Sequence, residues 1–231
     1  MIFDSTASRP RHGLALVYDL EGFSKFVNQP DVQGYVPKFL NEVSRAMSIC
    51  ISGGEAYWDN NIPKPEALGM VPVHEKFLGD GALYLWVDNN DKQIESNFVQ
   101  NLCNRVFNLK TMFPEVLKKC HEFVPVVDLP QRIRFGLARG TIYELRRKNS
   151  SQREYIGFCI NLASRLQKYC MELGFIASAR LELPDRMLKQ NGYVKVVATQ
   201  IKGFPREIVI VDADEFKALN PEIKDHLFET L

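Results

Sequence analysis

Glu75-Lys76-Phe77-Leu78-Gly79-Asp80-Gly81-Ala82-Leu83 is the stretch from which the rest of the chain is best read. Its Gly-Asp-Gly turn stands between Val71-Pro72-Val73 and the apolar run Ala82-Leu83-Tyr84-Leu85-Trp86. Apolar stretches flanking a tight glycine turn predict a β-hairpin. Its tip would hold Asp80 in front of the sheet, with glycines leaving room for a ligand to approach the backbone. A second carboxylate, Asp19, ends another apolar run, Leu14-Ala15-Leu16-Val17-Tyr18, and is followed by Leu20-Glu21-Gly22-Phe23-Ser24. Two strand-end aspartates that meet in space would suit a pair of divalent cations. Taken alone, Asp80 has a plainer reading as an ordinary turn residue.

With 231 residues the chain can bury a real core, and a single domain over residues 1–231 is expected. A net charge of +1 gives no field to attract nucleic acid or an anionic membrane, so neither partner is expected. The five cysteines, Cys50, Cys103, Cys120, Cys159 and Cys170, form no CxxC pair and fit buried thiols in a reducing compartment. No apolar leader opens the chain and no run approaches a membrane span, so a soluble, cytoplasmic protein is expected.

Residues 1–13 read as an irregular lead-in, and Leu14 to Leu20 as a central strand. A short helix is expected within Gly22 to Asn28. Val36, Phe39, Leu40, Val43, Ala46, Met47 and Cys50 recur at helical spacing and predict a helix over about residues 37–51. Residues 55–70, rich in Asn and Pro, read as an inserted loop. Ile94, Phe98, Leu102, Val106, Leu109 and Phe113 mark a long helix that Pro114 should bend or end. Arg132 to Arg139 alternates as a half-buried strand running into a turn at Gly140, with Thr141 to Leu145 as its hairpin partner. Residues 158–173 and 179–189 are predicted helical. Residues 193–202 and 207–211 should form a last antiparallel pair, followed by a helical tail. The order predicts an α+β fold: a ferredoxin-like, palm-type βαββαβ core sheet with packed helices.

Four stretches, in order, resemble class III nucleotidyl cyclases. Tyr18-Asp19-Leu20-Glu21-Gly22-Phe23-Ser24 is similar to the family's first metal motif, and Lys76-Phe77-Leu78-Gly79-Asp80-Gly81 to its second. Glu154-Tyr155-Ile156-Gly157 leading to Asn161-Leu162-Ala163-Ser164-Arg165 resembles the base-reading and transition-state segment. Ile201-Lys202-Gly203 resembles the strand that supplies a triphosphate lysine. Together they span residues 14 to about 212.

The resemblance implies the class III cyclase fold and a reaction in which a ribose 3′-hydroxyl attacks its own α-phosphate while pyrophosphate leaves. Positioning and charge stabilisation dominate such chemistry. It implies two Mg²⁺ or Mn²⁺ ions held by Asp19, Leu20 and Asp80, with backbone N–H groups of residues 20–24 at the β- and γ-phosphates. Arg165 would meet charge on the α-phosphate, Asn161 would fix the ribose, and Arg134 and Lys202 would hold the triphosphate. Lys76 and Glu154 would read the base, and Phe23 joins the substrate contacts. Tyr57, in the inserted loop, is either a packing aromatic or a further base contact. Asn161 with Arg165, and Arg134 beside Arg132, could otherwise be solvated faces. The family builds its site from two protomers, so a head-to-tail homodimer is implied.

Lys76 and Glu154 argue against GTP, because guanylyl cyclases typically carry glutamate and cysteine there. A lysine donor with a carboxylate acceptor suits adenine, cytosine or uracil. Glu154 is a methylene longer than the usual aspartate, and a longer arm reaches a smaller ring. The chain also resembles the stand-alone pyrimidine cyclases of bacterial antiphage (Pycsar) operons. UTP, yielding cyclic UMP for a separate effector, is therefore the favoured expectation, with ATP and CTP as alternatives. A non-enzymatic nucleotide-binding relative would be expected to lack a metal aspartate or the Asn/Arg pair, and both are present. Gly53-Gly54-Glu55-Ala56-Tyr57 faintly resembles the GGDEF signature of diguanylate cyclases but lacks its second acidic residue.

Overall fold

The run from Leu14 to Leu20 is buried at every position, and it forms the strand around which the sheet is laid. The computed structural model describes residue 3 and residues 9–52, 70–88, 93–125, 128–148 and 153–229. Strand β1 (Arg11–Glu21) ends at Gly22, whose φ of 87° turns the chain into the short helix α1 (Phe23–Val27). A 3₁₀ turn at Val32–Gly34 leads to α2 (Val36–Ser52). Next come the hairpin strands β2 (His74–Phe77) and β3 (Gly81–Val87), then the long helix α3 (Ser96–His121). Strands β4 (Arg132–Arg146) and β5 (Arg153–Gly157) precede α4 (Phe158–Gln167). Strand β6 (Phe175–Ser178), helix α5 (Asp185–Gln190) and the hairpin β7 (Tyr193–Ile201) and β8 (Phe204–Asp212) follow. The chain closes with α6 (Ala213–Ala218), α7 (Pro221–Leu227) and β9 (Phe228–Glu229).

Among the described residues the strands form one sheet in the order β2-β3-β1-β4-β6-β8-β7-β9, with β5 paired to β4. Alternation along β1 assigns its two faces. Leu14, Leu16, Tyr18 and Leu20 join one core with α2 and α3, while Ala15 and Val17 join a second core with α4. This parity places Asp19 on the α4 side.

Several sequence expectations need correction. Strand β2 begins at His74, and Val71–Val73 only lead into it. The N-terminal lead-in is shorter than expected: β1 already begins at Arg11, and Phe3 bridges Arg147. Helix α3 runs through Pro114 to His121; a proline removes one donor, while buried Phe113, Val116 and Cys120 carry the apolar face on. No turn occurs at Gly140. The strand continues to Arg146 and its partner is β5, with Ile142 opposite Gly157. Gly140 is glycine because a Cβ there would lie 2.4 Å from the Phe158 ring. Helix α4 stops at Gln167 rather than 173. Residues 179–189 hold a 3₁₀ turn, Glu182 in the left-handed region and only then α5, because Pro184 interrupts the helical pattern.

Candidate active site

Asp19 sits near the end of β1, opposite Gly81 of β3 on one side and Arg134 of β4 on the other. The Leu20 N–H donates to the Asp80 carbonyl at 2.9 Å, which fastens the hairpin tip to the end of β1. Gly79 has a φ of 99°, and the Leu78 N–H closes the turn on the Gly81 carbonyl. At Gly81 a Cβ would fall 1.9 Å from the Tyr18 carbonyl oxygen, so only glycine lets β3 come this close. Two carboxylates distant in the chain are thus brought side by side.

Their electrostatics follow from that proximity. Burial pushes the Asp80 carboxyl above its ordinary range, and the Asp19 charge pushes it further; the Lys168 ammonium pulls the other way. Asp19 and Arg134 are both buried, and an Arg134 guanidinium nitrogen lies 2.5 Å from an Asp19 oxygen. Arg134 Nε is buried with no hydrogen-bond partner, and its other terminal nitrogen faces the Met171 sulfur. Arg134 is therefore engaged with Asp19 and buried, which corrects the alternative reading of it as a solvated strand-face charge. The Leu20 N–H is likewise committed to Asp80, so that donor is removed from the expected phosphate cradle.

Paired, mutually repelling carboxylate oxygens are the donors that Mg²⁺ or Mn²⁺ prefers. Among the described residues no three His, Cys, Asp or Glu side chains converge as a metal cluster. Asp19 and Asp80 alone would thus leave coordination positions open for phosphate oxygens and water.

The remaining candidates are divided: α4 and Lys76 lie on the Asp19 side of the sheet, whereas Phe23 packs against the α2–α3 core. Helix α4 packs hard against β4, since a Cβ on Gly136 would meet the Ala163 carbonyl oxygen at 2.1 Å. Leu162, Ala163 and Leu166 face the sheet, which leaves Asn161 and Arg165 exposed on the outer side of the helix. Glu154 pairs with Arg147, and Lys202 is exposed at the β7–β8 turn. Exposed Lys76 lies opposite Leu83, a residue of the α4-side core, and so points to that face. Phe23 is half-buried against Phe26, with ring centroids 5.9 Å apart. Tyr57 and the Gly53–Tyr57 stretch lie outside the described residues.

Strand β4 measures the separation. Arg134 marks the aspartate end, and Ile142, opposite Gly157 where β5 gives way to α4, lies eight residues further on, about 26 Å at strand rise. Phe158, the first residue of α4, meets Phe204 beside the Lys202 turn at 5.2 Å. The start of α4 and Lys202 thus lie toward the far end of this face, while α4 runs back until Lys168 reaches Asp80; Glu154, alternate to Tyr155 of the α4-side core, points to the other face.

Sequence reading missed Lys168, Met171 and Arg147. Lys168 sits one helical turn after Arg165, a spacing that could have flagged it. The other two make contacts that no local pattern announces.

Solved structures share this architecture. The adenylyl cyclase CyaB from P. aeruginosa matches with a TM-score of 0.64 at 16% identity, over 89% of this chain and 94% of that one. The guanylyl cyclase Cya2 matches with a TM-score of 0.53 at 16% identity, over 90% and 93%. The dimeric guanylyl cyclase domain of the RhoGC fusion protein from Blastocladiella emersonii matches at 0.53 and 12%, over 88% and 98%. The fold is that of class III cyclase domains. Neither any family model nor any curated protein matches the chain. The cyclase fold carries adenylyl and guanylyl enzymes alike, so it does not by itself choose a base.

Proposed function

We propose that this chain is a nucleotidyl cyclase that converts a nucleoside triphosphate to its 3′,5′-cyclic nucleotide and pyrophosphate. The observation that carries this reading is the meeting of Asp19 and Asp80 at the Leu20–Asp80 backbone bond, on a sheet with the cyclase fold. In the reaction the ribose O3′–Pα bond forms, the bond from Pα to the bridging oxygen breaks, and the 3′-hydroxyl proton is released. Divalent ions held by Asp19 and Asp80 would acidify that hydroxyl and offset phosphate charge. Arg165 would stabilise charge on the α-phosphate, Asn161 would orient the ribose, and Lys202 would hold the triphosphate tail. Arg134 would swing between Asp19 and that tail.

The reading includes a head-to-tail homodimer, because the exposed Asn161 and Arg165 turn away from the sheet face that bears Asp19 in their own chain. Apolar side chains exposed at Phe77 and Leu78 of the hairpin and at Tyr143 and Ile156 of the β4–β5 arm support an interface there. UTP is the substrate we favour, on the Lys76 and Glu154 pair. Its cyclic UMP product would serve as a cytoplasmic signal read by a separate effector in antiphage defence.

The test is direct. Purified protein is incubated with ATP, GTP, CTP or UTP and Mn²⁺, and products are identified by mass. Cyclic UMP is expected. Cyclic AMP or cyclic CMP would replace the base assignment and keep the reaction, whereas no cyclic product from any substrate overturns the proposal.

A further inference from the structure

A cleft of about 470 Å³ lies under the β2–β3 hairpin, lined by Tyr18, Ser44, Ser48, Glu75, Phe77 and Tyr84 among others. It is separate from the aspartate pair. Tyr18, Ala82 and Tyr84 belong to the α2 side of the sheet, and Asp19 points to the other side. The volume is that of a small-molecule site.

Its chemistry is unusual for a surface fold of the backbone. Tyr18 is only 3% exposed, yet no described residue hydrogen-bonds its hydroxyl, and the same holds for the Tyr84 hydroxyl. Neither oxygen is among the buried atoms left without a partner, so both open on the cleft, where an occupant can exchange their water for its own hydrogen bonds. Consistently, burial pushes the Tyr18 phenol up to about 12 with no hydrogen bond to offset it. The two rings stack at 6.4 Å, which holds both hydroxyls on one wall. Across from them Ser44, Ser48 and Ser52 recur every fourth residue of α2 and line the same cleft. Glu75 adds a carboxylate, and Phe77, 59% exposed, adds an apolar ring. Lys76 also touches the rim, but its strand partner Leu83 belongs to the opposite core, so its side chain is directed away.

Hydroxyls that both donate and accept, one carboxylate and an open aromatic face form a wall for vicinal hydroxyl groups and the C–H face of a ring. The single inward charge is negative, which disfavours phosphate. We infer that this cleft binds an uncharged sugar, free or as the ribose of a nucleoside.

The test uses the full chain and saturation-transfer NMR with glucose, ribose and uridine at millimolar concentration. At least one should receive saturation from the protein. Transfer to glucose or ribose identifies a free-sugar site, and transfer to uridine alone identifies a nucleoside site. Tyr18→Phe should weaken binding about fivefold to tenfold, the worth of one hydrogen bond. Ser48→Leu, on the exposed face of α2, should fill the cleft and abolish the signal even where Tyr18→Phe folds poorly. A signal from none of the three probes overturns the inference. So does a signal that survives Ser48→Leu, or one indifferent to the Tyr18 hydroxyl in a folded Tyr18→Phe protein.

Discussion

A guanidinium nitrogen of Arg134 lies 2.5 Å from a carboxylate oxygen of Asp19, and the two residues are cross-strand partners in β4 and β1. Both are buried, so removing one leaves the other as an uncompensated charge. Arg134→Ala should therefore cost about 3–5 kcal/mol in urea denaturation of the metal-free protein. Saturating Mg²⁺ should restore part of that loss, because the ion supplies the missing positive charge to Asp19 and Asp80. The double variant Asp19→Asn with Arg134→Met should lose less than the sum of the single changes. Additive losses would show that the pair is not coupled.

Asp80 makes the metal-free fold sensitive to pH. Its carboxyl is raised above the ordinary range by burial and by Asp19, so folding favours the protonated form. That contribution is complete below about pH 4 and is lost as the pH climbs through the raised value. A divalent ion reverses the balance by favouring the ionised pair. Mn²⁺ should thus raise Tm clearly at about pH 7.5 and hardly at all near pH 4. Asp80→Asn should melt above wild type at neutral pH without metal, and Mn²⁺ should no longer shift it. An equal Mn²⁺ shift at both pH values would mean that the ion binds elsewhere.

How much of this was legible in the residues depends on whether the cause was local. The β2–β3 hairpin and β1 could be read because apolar runs and Gly79-Asp80-Gly81 carry their own instructions. The parity of β1 then puts Asp19 on one face without any knowledge of its neighbours. Gly140 was misread because a glycine required by a distant ring, here Phe158, looks the same in sequence as a turn glycine. The Asp19 contact of Arg134 went unread for the same reason: alternation gives a side chain its face but not its partner across the strand. The Tyr18 and Tyr84 hydroxyls sit in runs that look purely apolar, so the cleft beneath the hairpin left no trace in the pattern.

Gly136 tests how tightly α4 must be held. A Cβ at that position would lie 2.1 Å from the Ala163 carbonyl and 2.6 Å from the Gln167 backbone nitrogen, both fixed helix backbone. Gly136→Ala should force α4 off the sheet, at about 1–3 kcal/mol or more of stability. Because α4 carries Asn161 and Arg165, cyclase activity should fall further than the fraction unfolded explains. Gly34→Ala, where a Cβ meets nothing within 4 Å, serves as the control and should leave both unchanged.

The proposed head-to-tail homodimer, with Asn161 and Arg165 serving the partner's aspartate pair, predicts complementation. Asp19→Ala and Arg165→Ala should each be inactive alone, since every site in either homodimer lacks one required group. In an equal mixture that exchanges subunits freely, half of the dimers carry one chain of each kind. Each mixed dimer has one site that lacks both groups and one that lacks neither. Activity should therefore recover to about a quarter of the wild-type value at the same total protein. Mixing Asp19→Ala with Asp80→Ala offers the contrast: both changes fall in the same half-set, so no combination restores a complete site. If the first mixture stays as inactive as the second while subunit exchange is demonstrated by mass, the site is not shared between chains. In that case Arg165 would act with Asp19 of its own chain.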